Sequence, residues 1–284
     1  MMKGLRNMSF DGEGAGSHAA VFTLTCPACK GTGTFHTWDC IDGTRDPALR
    51  LRILTDETLF FYECPHCKAQ IHMESPCLYI DRNQKYMVWH IPDLTVPVTS
   101  QEVCDFLGQP SFDDYTCRVA LTWGEWREKI IEMESAYDDR IYEIIKFGAY
   151  QLIKEEDRQR LLLEAYHLDY ADESRRSDQL ALVFMQEHQK GMGYTYEITS
   201  KVLEVTRDIF MPLLERLSAV SEKAAFERRG YAWAQHFMTY AMKAASAGNG
   251  REAYGQLIGF WIQTLGQELF HADIKMPESQ QNKI

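Results

Sequence analysis

Four cysteines carry the clearest chemistry in this chain. Cys26-Pro27-Ala28-Cys29 and Cys64-Pro65-His66-Cys67 are two C-x-x-C units separated by the segment Lys30–Glu63. A tetrahedral zinc ion takes four soft ligands at about 2.3 Å. One C-x-x-C turn sets two thiolates on the same side of a tight loop, and a second turn from another hairpin completes the tetrahedron. Proline after the first cysteine of each unit fixes φ and favours the turn. Four thiolates leave no open position, so the expected ion is one structural zinc rather than a catalytic one. With Zn²⁺ the set carries a net charge of −2. Lys30 and Lys68, directly after the two units, are expected to offset it, and backbone N–H groups of the turns are expected to bond to sulfur.

The other cysteines form no second such pair. Cys40, Cys77, Cys104 and Cys117 are widely spaced and read as small buried hydrophobes. His66, inside the second turn, reads as a solvent-facing turn residue because its flanking cysteines already occupy the local geometry. A redox reading of the C-x-x-C units lacks the βαβ context that a thioredoxin-like motif requires.

The elements that must hold these units read as short strands. Val21–Leu24 leads into the first pair and Thr34–Trp38 leads out; Leu59–Tyr62 and Gln70–His72 flank the second. Leu78–Ile80 and Tyr86–Trp89 predict a hairpin across Asp81–Lys85, and Asp46–Leu54 predicts a short helix between the cysteine units. After a proline- and glycine-containing connection from Ile91 to Ser111, Tyr115–Leu121 predicts one more strand. Thr122 and Glu125 have capping-box spacing before a helix with Trp126, Ile130 and Met133 on one face. Asp138 or Asp139 then starts a helix with an apolar stripe of Ile141, Ile144, Ile145, Gly148 and Leu152. Residues 160–199 predict a three-stranded meander with Leu180–Met185 central. Helices are expected over 200–217, 222–245 and 251–270.

The expected architecture is therefore α+β: an N-terminal zinc ribbon of antiparallel β, then a mainly helical domain with a small antiparallel sheet. The expected divisions are a flexible leader (1–19), the ribbon (20–98), the helical α+β domain (112–270) and a tail (271–284).

These features together resemble the CpXC family of prokaryotic proteins, named for two Cys-Pro-x-Cys motifs. Trp38-Asp39, Asp46-Pro47-Ala48-Leu49, Leu59-Phe60 before Cys64, and Leu78-Tyr79-Ile80-Asp81 extend the resemblance beyond the cysteines. Glu128-Lys129-Ile130 and Asp138-Asp139-Arg140 with Glu143 and Lys146 continue it more loosely. The resemblance is good over 20–92, fair to about 200 and absent after about 220. Such knuckles often place glycine directly after the second cysteine, where this chain has Lys30 and Lys68. The resemblance implies a module and no activity.

Composition narrows the function classes. The 284 residues carry a net charge of −11. Residues 1–98 hold 9 basic and 11 acidic groups, and the remainder 21 and 30, so the excess lies in the second part. Repulsion from phosphate disfavours non-specific nucleic-acid binding. The uncharged runs 230–242 and 253–267 are shorter than the roughly 20 residues a spanning helix needs. The N-terminus has no apolar signal core, and the expected location is the cytoplasm. No dinucleotide, phosphate-loop, nucleophile-elbow or H-E-x-x-H motif occurs, and no catalytic residue is assigned. Asp138, Asp139 and Arg140 form the main polar cluster outside the cysteines: a helix start by default, an interaction patch otherwise.

The preferred reading is a non-enzymatic interaction module with a protein partner and a structural zinc. The alternative is a nucleic-acid-binding ribbon, with Lys30, Lys68, Phe35 and Trp38 as its surface. The third is an enzyme with its site in the C-terminal half.

Overall fold

A computed structural model describes residues 16–92, 103–105, 108, 111–160, 163–172, 179–186, 193–218, 226–246 and 251–272. The expected leader up to residue 15, most of the 91–111 connection and the tail from 273 lie outside the described residues. Residues 16–19, assigned to the leader from their composition, belong to the fold instead: the first strand begins at His18 and pairs with the next.

The chain divides into two compact units, 1–130 with 222–228, and 131–221 with 229–284. The first unit is built on a five-stranded sheet in the order β1-β2-β5-β6-β7. Its strands are β1 (His18–Thr25), β2 (Thr32–Asp42), β5 (Cys77–Asp81), β6 (Tyr86–His90) and β7 (Thr116–Ala120). β1/β2 and β5/β6 are antiparallel, as hairpins require, whereas β2/β5 and β6/β7 are parallel. The sheet is thus mixed rather than purely antiparallel, because each parallel partner returns by a long excursion. One excursion contains helix α1 (Pro47–Thr55) and the small hairpin β3 (Phe61–Glu63)–β4 (Gln70–His72). Proline opens α1, where its missing N–H costs no intrahelical bond. Leu59 and Phe60, expected to be strand, form a 3-10 turn started by Asp56, whose carboxylate accepts the Thr58 amide.

β5 and β6 are buried at every position, so both sheet faces are covered. One face packs Cys40, Leu78, Ile80, Met87, Trp89, Cys117 and Val119. Toward the other, Trp126 lies edge-on to Tyr79 and Phe60 and donates its indole N–H to the Val88 carbonyl at 2.9 Å. Trp126 and Trp123 stand in the first turns of α2 (Trp123–Glu134), begun by Thr122 with its hydroxyl accepting the Glu125 amide. Glu125 returns to the amide of Leu121, one residue earlier than a standard capping box.

Residues 226–230, expected within a helix starting near 222, are extended. The Val119 amide donates to the Glu227 carbonyl at 3.0 Å, and Arg118 and Glu227 form a parallel bridge. The open edge of β7 offers ladder bonds that outweigh helix propensity there, and the helix begins only at Tyr231, after Gly230.

The second unit surrounds α3 (Asp139–Leu152), which contacts α5 (Ser200–Ser218), α6 (Tyr231–Ser246) and α7 (Arg251–Phe270). Gly148 permits the closest approach: a Cβ there would run into the rings of Trp261 and the side chain of Leu265. Short α4 (Glu155–Arg160) leads to the antiparallel meander β8 (Leu163–Tyr170), β9 (Leu180–Gln186) and β10 (Gly193–Glu197), with β9 central as its two-faced apolarity predicts. Among the described residues, no helix is long and apolar enough to cross a membrane.

Candidate metal centre

The two C-x-x-C units occupy the tips of two hairpins: the first joins β1 to β2, the second joins β3 to β4. They fold identically in hydrogen-bond pattern. The Cys26 amide donates to the Gly31 carbonyl and the Lys30 amide to the Cys26 carbonyl, both at 2.9 Å; the Cys64 amide donates to the Ala69 carbonyl and the Lys68 amide to the Cys64 carbonyl, again at 2.9 Å. A sequence symmetry has thus become a structural one.

The four sulfurs converge. All lie within 4.8 Å of one another, with Cys26 Sγ 3.7 Å from Cys67 Sγ and Cys29 Sγ 3.6 Å from Cys64 Sγ. Sulfurs at the corners of a tetrahedron with 2.3 Å metal–sulfur bonds stand about 3.8 Å apart. The close pairs run between the knuckles, and each joins a buried cysteine (Cys26, Cys64) to an exposed one (Cys67, Cys29). No other cluster of three or more Cys, His, Asp or Glu among the described residues reaches this geometry.

Backbone dipoles favour negative charge on the two buried sulfurs, whereas the neighbouring cysteines push Cys67 up to about 12 against the Ala69 amide. The amides of Cys67 and, more weakly, His66 draw the Cys64 thiol down to about 6 against its burial, and the amides of Cys29 and Ala28 lower Cys26 in the same way. The Gly31 amide points at Cys29 Sγ at 3.4 Å. A thiolate is the metal ligand, so these bonds favour the binding form.

The two lysines take the position where glycine is expected, and the knuckle forms nonetheless. Lys30 and Lys68 adopt φ of 63° and 62°, the left-handed region. Lys68 Nζ pairs with Glu63 at 3.3 Å rather than with a sulfur. His66 is exposed yet does more than face solvent: its Nε2 lies 3.0 Å from the Thr32 carbonyl, tying the second knuckle to the strand that leaves the first. Its ring covers Gly31, where any Cβ would overlap it. That clasp is not visible in the sequence.

Beneath the knuckles lies a small core of Cys26, Phe35, Tyr62 and Cys64, with the Phe35 and Tyr62 rings edge-on at 6.1 Å. Phe35 is 5% exposed, so its ring is occupied in packing and offers no stacking surface for bases. Trp38 is half-buried.

The remaining cysteines sit in the sheet core. Burial pushes Cys40 and Cys117 up to about 12 and Cys77 well above its ordinary value, which leaves them as neutral apolar groups. Asp138 caps α3: its Oδ1 accepts the Arg140 amide at 2.9 Å, and its Oδ2 meets the Arg140 guanidinium at 2.6 Å. Asp139 is buried. Inside the second unit, Lys146 Nζ is buried between Glu132 at 2.8 Å and Glu143 at 3.0 Å, a pairing of the charged positions that sequence spacing alone left unconnected.

No curated protein and no solved structure shows a significant match to the chain. The family model described as CpXC protein does match, over residues 24–146, the segment that carries the paired knuckles.

Proposed function

We propose that the four cysteines hold one structural zinc ion and that the chain is a non-enzymatic interaction module of the cytoplasm, recognising a protein partner. One observation carries the metal reading: four convergent sulfurs, with cross-knuckle spacings of 3.6 and 3.7 Å, in turns whose amides favour thiolates. Soft, fully thiolate, tetrahedral donor sets suit zinc, and a closed set of four leaves no position for a reacting water. Elemental analysis of protein purified without added metal should find about one zinc per chain. Iron–sulfur absorbance, or folded protein with no metal, refutes the zinc assignment.

Support for a protein partner is indirect. A net charge of −11 opposes polyanions, and burial of Phe35 removes one of the two aromatics a nucleic-acid ribbon would use. Fluorescence anisotropy with labelled single- and double-stranded oligonucleotides across a salt series tests this. Binding is expected to be no tighter than about 10⁻⁵ M at physiological salt, within or weaker than the usual non-specific range. Sub-micromolar binding abolished by Lys30→Glu with Lys68→Glu would replace the interaction reading with the nucleic-acid one. For a protein partner, the Asp138–Arg140 corner is the polar patch to test: Asp138→Ala should leave pulldown profiles intact if the corner only starts a helix.

A further inference from the structure

Tyr62 lies in the small core directly beneath the paired knuckles. Its ring packs in the small core with Cys26, Phe35 and Cys64, and the residue is 2% exposed. A tyrosine hydroxyl buried this far ordinarily finds a hydrogen-bond partner. Here the buried oxygen has none. It sits over Gly33 and beside Pro65, so close that a Cβ at Gly33 would overlap it. Glycine in β2 thus leaves room for this oxygen, whereas a phenylalanine at 62 would fill the same apolar core without it.

We propose that Tyr62 is a positioning residue of the metal centre, its hydroxyl donating an O–H···S hydrogen bond to the Cys64 thiolate when the metal is bound and slowing metal loss. This rests on the zinc reading above. The chemistry is consistent throughout. A phenol titrates at about 10, so at neutral pH the hydroxyl is a protonated donor. Thiolate in a bound site keeps lone pairs free of the metal, and a donor placed on one of them draws off charge from a tetrathiolate carrying −2. Each knuckle already supplies backbone donors in matching positions; Tyr62 would add a side-chain donor to the second knuckle alone. The symmetric position on the first strand, Leu24, has no polar atom to offer.

The test uses the full chain with Tyr62→Phe, which deletes one oxygen and keeps the ring. Zinc transfer to a chromophoric chelator should be about tenfold faster than in the unaltered protein, the lower end of effects seen when outer-shell partners of a metal site are removed. In cobalt-loaded protein the thiolate-to-metal charge-transfer bands should move to lower energy, because an undonated thiolate is the better electron donor. A purely packing role would not move those bands. Gly33→Ala, which displaces the hydroxyl without deleting it, should produce the same changes. Unaltered chain that holds zinc, with Tyr62→Phe matching it in release rate or in band energy, overturns the proposal and leaves the metal reading standing. Unaltered chain that holds no metal overturns both.

Discussion

Removing the metal should melt the knuckles and the strand ends that carry them while leaving β5, β6 and β7 intact. The two turns, 26–31 and 64–69, contain twelve residues. Ordering their backbone costs about 12–24 kcal/mol at about 1–2 kcal/mol per residue. Against this, burial of Phe35 and Tyr62 contributes about 3–6 kcal/mol. The four knuckle backbone bonds add about 2–6 kcal/mol. The middle of these ranges leaves a deficit of about 10 kcal/mol, and structural zinc in small sites supplies about 10–16 kcal/mol. Without the ion, then, the knuckles are not expected to persist. The strands of β5, β6 and β7 are held by their own buried residues and should not follow. Hydrogen-exchange mass spectrometry before and after chelation reads both regions in one experiment. Amides of residues 24–36 and 60–73 should lose protection, and those of 77–81, 86–90 and 116–120 should keep it. Protection over the knuckles that survives verified metal removal would refute the reasoning, and so would loss over the whole chain at once.

Three further outcomes are expected. Lys30→Gly and Lys68→Gly should each raise stability by up to about 1 kcal/mol, because a left-handed lysine costs about 1–2 kcal/mol and glycine returns part of that as unfolded-state entropy; denaturant melts of the zinc-loaded protein check it. His90 is fully buried, stacked on Trp123 at 3.7 Å, with Nδ1 donating to the Ser75 carbonyl, and burial depresses its pKa although that carbonyl and the Glu74 carboxylate act the other way. The unfolded chain protonates first, so His90's contribution is complete above about pH 6.5 and declines as pH falls below it, by at most about 1.4 kcal/mol per unit; melting temperatures between pH 7.5 and 5 should show the decline, and His90→Gln should flatten it. Asp138→Ala should cost about 0.5–2 kcal/mol through loss of the α3 cap, measured by thermal melts; partner binding lost at an unchanged melting temperature would make the corner an interaction site.

Much of the metal site was determined by sequence because its rules are local. A C-x-x-C turn closes within six residues, and proline, strand-flanking and pair symmetry are properties of short segments. The alternation of the meander, the Asp138 start of α3 and the Thr122 start of α2 are likewise short-range. What only the tertiary structure decided depends on residues far apart. Parallel pairing of β2 with β5 and β6 with β7 is set by which strand edges remain open after the hairpins form. The same open edge captures Glu227 from over a hundred residues downstream and holds 226–230 extended where local propensity favours helix. His66 finds Thr32, Tyr62 settles on Gly33, and Lys146 lies between Glu132 and Glu143 for the same reason. A polar atom taken out of water must be matched by whatever the fold brings beside it, and no local pattern names that neighbour.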